Sequence, residues 1–277
     1  MALKSKVSGG AGADWADLPS AAASMAALQS RGIFMDIVGL EGGGKSSLAL
    51  TLARLGKLAY IDIDQSVDRA RKPDSKKERE NIKVLPVRYL TAMGMSEAQV
   101  QAIAAPAWAN MGTKLDSAVS TWARGAVIDT GSETWELARL SAAGTLNPHG
   151  KRMDRVYGPI NAKMRQLFRS VNRTHCKHLV TIHMLKDEYQ DKINSSGEQV
   201  SIKTGKHVRA GFKEVGYLCD VVVRCFREKG EFKGEILLNK LPPAGPSLEG
   251  MELEGEQLDF SYIVGLSTET EPEEWLK

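Results

Sequence analysis

"GIFMDIVGLEGGGKSSLALTLARLG" occupies residues 32–56. Inside it, Gly39, Leu40, Glu41, Gly42, Gly43, Gly44, Lys45 and Ser46 fit the spacing G-x-x-x-x-G-K-[ST] of a phosphate-binding loop. Backbone N–H groups that converge on an anion need tight turns, which side chains would block. The following helix then turns its N-terminus toward the same anion. Lys45 brings a mobile positive charge for the β and γ phosphates, and Ser46 brings a hydroxyl for Mg²⁺, with Ser47 beside it. The flanks supply the required context. Residues 32–38 are apolar and β-branched enough for a buried strand, despite Asp36, and residues 46–56 place leucines at 48, 50, 52 and 55 before a terminating Gly56.

Working outward, strands alternate with helices. Strands are expected at 58–64, 81–87, 125–129 and 178–185, and a hairpin joins 219–228 to 234–241 around residues 229–233. Helices are expected from Ser96 to Pro106, over 114–123, and after Pro159 within 154–174. Residues 69–80 read as an exposed charged insert, and 186–214 as a polar stretch without a period. This alternation predicts a doubly wound α/β sheet with its ligand at the carboxyl ends of the strands.

Composition bounds the rest. The 277 residues are 42% hydrophobic and contain no apolar run long enough to cross a membrane. The three cysteines, Cys176, Cys219 and Cys225, lack metal spacing and read as free thiols in a reducing compartment. Residues 1–30 form an expected flexible arm with a short helix at 20–29, and 31–246 the core. Residues 247–277 carry nine acidic residues and one basic, leaving 36 basic and 25 acidic residues elsewhere, a body of +11. A basic body with an acidic tail suits binding to nucleic acid.

A phosphate loop works with an acid that positions the metal. Asp129, ending an apolar strand in "AVIDTGSETWE", fits that Walker B role. Hydrolysis also needs a group that orients water. Asp64 in "YIDIDQSVD" is the first candidate and Asp62 the second. His183, near the end of "HLVTIHML", is placed to sense the γ-phosphate and report to the segment that follows.

These parts, in this order, resemble the RecA-like ATPase core. Within it the chain looks most like phage-encoded Sak-type recombination and annealing ATPases, on "GLEGGGKSS", "YIDIDQSVD", "AVIDTGSETWE", "HLVTIHMLKDEY" and "GFKEVGYLCDVVVR". The resemblance implies ATP and Mg²⁺ as cofactors and a ring or filament of identical subunits. It implies Asp64 where RecA-like proteins commonly carry a glutamate one methylene longer, and His183 at the sensor position. A basic residue reaching a neighbouring subunit's nucleotide is implied too, with Lys240 first and Arg227 second. The loop after the sensor strand is implied to contact single-stranded DNA through Lys186, Lys192, Lys203, Lys206, Arg209 and Lys213, beside Gly205 and His207. The implied setting is the cytoplasm of a bacterial host, with a single-strand-binding protein as a further partner. A nucleotide-gated replisome or helicase adaptor with little hydrolysis, and a small-molecule kinase, share the phosphate loop and stand as alternatives.

Overall fold

The structure, a computed structural model, describes residues 32–89, 94–146, 153–171, 178–193 and 198–275. The expected arm at 1–30, its helix at 20–29 and Cys176 lie outside the described residues. β1 (Ile33–Gly39) leads into α1 (Lys45–Leu50), which tightens into a 3₁₀ turn over Thr51–Leu55. β2 (Leu58–Asp62), α2 (Lys76–Asn81), β3 (Ile82–Pro86), α3 (Glu97–Thr121), β4 (Gly125–Asp129), α4 (Gly131–Ala143) and α5 (Met153–Val171) follow. Then come β5 (His178–Ile193), β6 (Gln199–Arg209), α6 (Val215–Leu218), β7 (Val221–Glu228), β8 (Glu231–Asn239), β9 (Glu252–Glu254), α7 (Phe260–Thr268) and α8 (Pro272–Trp275).

Among the described residues, the strands form one sheet in the order β3-β2-β4-β5-β1-β7-β8-β9, with β6 paired only to β5. The six strands from β3 to β7 run parallel, and β8 and β9 extend the sheet antiparallel. β5 lies between β1 and β4, so the carboxyl ends of all three open onto one edge. Alternation along β1 divides the core. Phe34 and Val38 face a layer built from α3, α4 and α5, while Ile33, Met35 and Ile37 face α1, α7 and α8. The mainly parallel α/β sheet and the late hairpin are as the sequence led us to expect.

Several local readings change. Residues 97–121 form one helix rather than two. Its interior Pro106 frees the carbonyl of Ala102, and both residues lie on the helix's exposed face, where a missing backbone bond costs less than in the core. Ser96 and Gln99 close a capping box at its start. α5 begins at Met153, six residues before Pro159. The insert at 69–80 is exposed but carries its own helix, capped by Ser75. Pro86 ends β3 at the sheet edge, where its missing donor costs no ladder bond. The β7–β8 turn is confined to Lys229 and Gly230, which both take positive φ.

The largest correction concerns the acidic end. Residues 247–275 are folded rather than tail-like. Phe260, Ile263, Val264 and Trp275 are buried against β1, α1 and β5. Each such side chain contributes about 1.5–3 kcal/mol of burial.

Candidate functional site

β1 delivers the phosphate loop to the sheet edge, and glycine lets it settle there. A Cβ on Gly39 would collide with the carbonyl oxygen of Cys225 on β7, and one on Gly43 would come within 2.9 Å of that oxygen. Gly42 and Gly44 take φ of 72° and 89°, conformations that side chains disfavour. Lys45 is buried, and its Nζ donates to the carbonyl of Leu40 at 2.6 Å across the loop. Burial lowers its pKa, against the attraction of nearby groups that include Asp129 and Asp64. Glu41 is exposed on the loop's outer side.

The second part arrives from β4. The Ser46 hydroxyl donates to Asp129 Oδ2 at 2.7 Å. The same oxygen accepts from Ser66 at 2.6 Å and from the Tyr60 hydroxyl. Asp129 Oδ1 is buried without a hydrogen-bond partner. Burial raises this carboxyl's pKa, and the hydroxyls of Ser66, Tyr60 and Ser46 resist the rise. One oxygen held by three hydroxyls and another left open fits a hydrated divalent cation beside Ser46. Tyr60 and Ser66 escaped sequence reasoning. Both lie in "YIDIDQSVD", where the eye goes to the carboxylates, and only the parallel register of β2 with β4 brings them to Asp129.

Asp62 ends β2 and is buried, whereas Asp64 lies beyond the strand and is half-buried. The backbone N–H of Ser66 donates to Asp62 Oδ1 at 3.1 Å and to Asp64 Oδ1 at 3.0 Å. The two carboxylates therefore share one donor. Burial, with Asp129 and Asp64 adding repulsion, pushes the Asp62 carboxyl up to about 6.

His183 differs from expectation. It is fully buried inside the sheet rather than open to a phosphate. Its Nδ1 lies 2.6 Å from Asp36 Oδ1, which also accepts from Thr181 at 2.8 Å. Asp36 Oδ2 lies 2.6 Å from Arg209 Nη2. Burial alone would raise Asp36, but His183 and Arg209 outweigh it and hold the carboxyl below its ordinary range. An ionised Asp36 accepts the proton on Nδ1, which leaves Nε2 as the buried, unpartnered nitrogen. Gly131, two residues after Asp129, sits against this ring so closely that a Cβ would collide with Nε2. Ser132 accepts from the Met184 amide and donates to the Ala210 carbonyl, both at 3.1 Å.

The segment expected as a polar loop is a long antiparallel hairpin. β5 runs on to Ile193 and pairs with β6, with an irregularity between Asp187 and Tyr189. Lys186, Lys192, Lys203, Lys206, His207 and Gly205 are exposed along it, and Lys213 is exposed just after it. Lys203 pairs with Asp187 at 2.6 Å and lies 6.0 Å from the Tyr189 ring centroid. Tyr189 is 56% exposed, whereas Phe212 is buried and offers no stacking face. Arg209 belongs to the buried cluster at the hairpin's base rather than to its surface.

Neither in-trans candidate is a free cation. Lys240 Nζ donates to the carbonyls of Gly216 at 2.7 Å and Cys219 at 3.0 Å. Arg227 donates to the Gly230 carbonyl at 2.9 Å, and its guanidinium lies 4.9 Å from the Phe232 ring centroid. Cys219 and Cys225 are free and buried, and burial pushes both thiols up to about 12. Among the described residues no helix is long and apolar enough to cross a membrane.

Among solved structures, the crystal structure of the RadB recombinase resembles the chain at a TM-score of 0.42 and 14% sequence identity, covering 79% of this chain and 84% of that one. No curated protein sequence matches it. The family profile described as an AAA domain matches residues 31–245. That span holds the phosphate loop, Asp129 and the strands that join them, and with it the chain belongs to the AAA domain family of P-loop ATPases.

Proposed function

We propose that the protein binds and hydrolyses ATP with Mg²⁺ and uses that cycle to control single-stranded DNA in phage-type homologous recombination or annealing, as an oligomer. The observation that carries this reading is the continuity between the two ends of the machine. Asp129 leads through Gly131 onto the His183 ring, His183 joins Asp36 on the phosphate-loop strand, and Asp36 joins Arg209 at the base of the cationic hairpin.

The chain's own groups have distinct tasks. Gly42, Gly43 and Gly44 open the backbone for phosphate oxygens, and Lys45 exchanges the Leu40 carbonyl for the β and γ phosphates. Ser46 and Asp129 hold the cation or its water, and Ser66 and Tyr60 fix the orientation of Asp129. The cation, once bound, neutralises charge on the phosphates. Asp64 orients the attacking water, with Asp62 behind it. A small shift of the Asp129–Ser132 turn moves against a packed ring and a rigid ion pair, so it reaches the hairpin instead of dissipating. Lys192, Lys203, Lys206 and Lys213 then meet DNA phosphates, and Tyr189 offers a face for one base. This assigns 31–246 as the catalytic core and 247–275 as part of its support.

One observation favours a second reading, a nucleotide-gated adaptor with little turnover. Asp64 is short, and it shares its donor with Asp62 rather than standing free for water. ATP hydrolysis measured with and without single-stranded DNA, against a Lys45→Ala control, separates the two. DNA-stimulated phosphate release that the variant loses supports the recombination ATPase. Lys45-dependent ATP binding without DNA-dependent turnover replaces it with the adaptor.

A further inference from the structure

Between β2 and α2, residues 63–75 run as a strap from the cation side of the phosphate site to the first turn of α1. At the cation side the Ser66 hydroxyl donates to Asp129 Oδ2 at 2.6 Å. On α1 the Ser47 hydroxyl accepts from the Arg71 amide at 3.0 Å. Between these ties Val67 is buried and Ala70 half-buried in the core layer that α1 shares. The strap is thus fastened at both ends and along its length, and the backbone of Arg71 has a fixed place beside the phosphate loop.

Its side chain is not fixed. Arg71 lines a cleft of about 1270 Å³ together with Gly43, Gly44 and Ser47, and its side chain is 77% exposed. Among the described residues its guanidinium reaches only Asp74, at 3.5 Å, and that carboxylate is more exposed still. A pair held so loosely in water contributes little. Other cations of the cleft are committed. Arg54 is held by Asp259 at 2.9 Å, and Lys233 by Glu228 at 2.9 Å and by Glu254. Lys72 pairs with Asp68 of its own strap at 3.7 Å. Arg71 therefore combines a loosely held guanidinium with a backbone tied to α1.

The tie to Ser47 brings that guanidinium within reach of the loop. One bond joins the Arg71 amide to its Cα, so the head group stands within one side chain's length of Ser47. A hydroxyl that accepts one bond keeps its own proton, so Ser47 can donate to a phosphate oxygen without releasing the strap. Charge is also wanted on this side. Lys45, Ser46 and Asp129 serve the cation side, and neither Lys240 nor Arg227 is free to bring a cation from a neighbouring subunit. We propose that Arg71 is a further phosphate-contacting residue, supplied by the chain to its own site, with its planar fork closing on the phosphate oxygens from the Ser47 side. The inference rests on the nucleotide reading above and gives the charged insert a role at the same site.

The test measures binding of ATP and of inorganic tripolyphosphate, each with magnesium, by calorimetry to the full chain and to Arg71→Ala, Arg71→Gln, Arg71→Lys and Lys72→Ala. A charge-assisted contact to phosphate predicts that Arg71→Ala and Arg71→Gln weaken both probes by about tenfold or more and by similar factors. Arg71→Lys recovers part of the loss, and Lys72→Ala stays within about twofold of wild type. No loss in the first two variants, or a loss confined to ATP, overturns the assignment. A loss in Lys72→Ala as large as that in Arg71→Ala also overturns it, because a general positive field would then explain both. In each of these cases wild type still binds and the phosphate-loop reading stands. If wild type binds neither probe, the nucleotide reading itself falls and Arg71 with it. All three Arg71 variants keep the amide that donates to Ser47, so the strap stays in place, and an unchanged melting temperature without ligand checks this.

Discussion

Arg209, the last residue of β6, reaches Asp36 in the middle of β1 at 2.6 Å, across 173 positions of sequence, and Asp36 is fully buried. The base of the hairpin is thereby tied to the strand that ends in the phosphate loop. Removing the arginine leaves a buried carboxylate with only His183 and the Thr181 hydroxyl, both on its other oxygen. Arg209→Ala should cost about 3–5 kcal/mol of stability, the usual penalty for breaking a buried ion pair. Urea unfolding checks this. Arg209→Lys keeps the charge, and in the coupling scheme it retains basal hydrolysis while DNA stimulation falls. Stimulation at the wild-type ratio in a folded Arg209→Lys variant would show that this pair only supports the fold.

Asp129 gives a cleaner separation of chemistry from stability. Its Oδ1 has no partner, and its charge is held in a buried site that resists it. Asp129→Asn keeps an oxygen for Ser46, Ser66 and Tyr60 but removes the charge. The expected result is a Mg²⁺ requirement shifted upward by about 10–100-fold, with metal-free stability equal to wild type or higher. Magnesium titration of ATP hydrolysis, beside a thermal melt in chelator, reads both. A variant that melts well below wild type in chelator would mean that Asp129 serves the fold first.

How much of this site could be read from the chain alone depends on how local each signal is. The phosphate loop is contiguous, so its glycines and Lys45 declare themselves. Asp129 ends a short apolar strand and is equally visible. Tyr60 and Ser66 need the β2–β4 register, which no single segment contains. The hairpin is hidden for another reason. Charged residues occupy both of its faces from Lys186 to Lys206, so no buried side imposes the alternation that marks a strand. Charge also masked the acidic end. Phe260, Ile263 and Val264 stand at helical spacing and fill the core, but the nine surrounding acids made the segment read as solvated.

Asp62 sets a pH dependence. Its carboxyl is pushed up to about 6, first by burial and then by Asp129 and Asp64, against an ordinary value near 3.8. A raised acid binds its proton more tightly when folded, so its favourable contribution is complete below about pH 4 and is lost as pH rises through 6. Screening at the mouth of the site reduces the full effect to on the order of 1–2 kcal/mol. Asp62→Asn, which keeps an acceptor for the Ser66 amide, should exceed wild-type stability by that amount at pH 7.5 and by almost nothing at pH 4. Denaturant unfolding at the two pH values decides it. A difference that is the same at both would assign the effect to packing.

The exposed cations of the hairpin are not equal, and their inequality makes the DNA reading specific. Lys192 and Lys206 are exposed, whereas Lys203 is engaged by Asp187, which holds its ammonium in a fixed place. Each cation that displaces counterions from single-stranded DNA contributes about 0.7 to the slope of log affinity against log salt. Lys192→Ala and Lys206→Ala should each lower the slope by about that amount. Lys203→Ala should lower it less, because Asp187 already offsets its charge, while Asp187→Asn should tighten binding at low salt. Tyr189→Ala should weaken binding by about 1–3 kcal/mol without changing the slope, since stacking is not an ionic contact. Fluorescence anisotropy of a labelled oligonucleotide across a salt series measures all five variants. If the slope is unmoved by Lys192→Ala and Lys206→Ala together, DNA does not lie along this hairpin, and the cations serve only to keep an exposed β-ribbon from pairing with others.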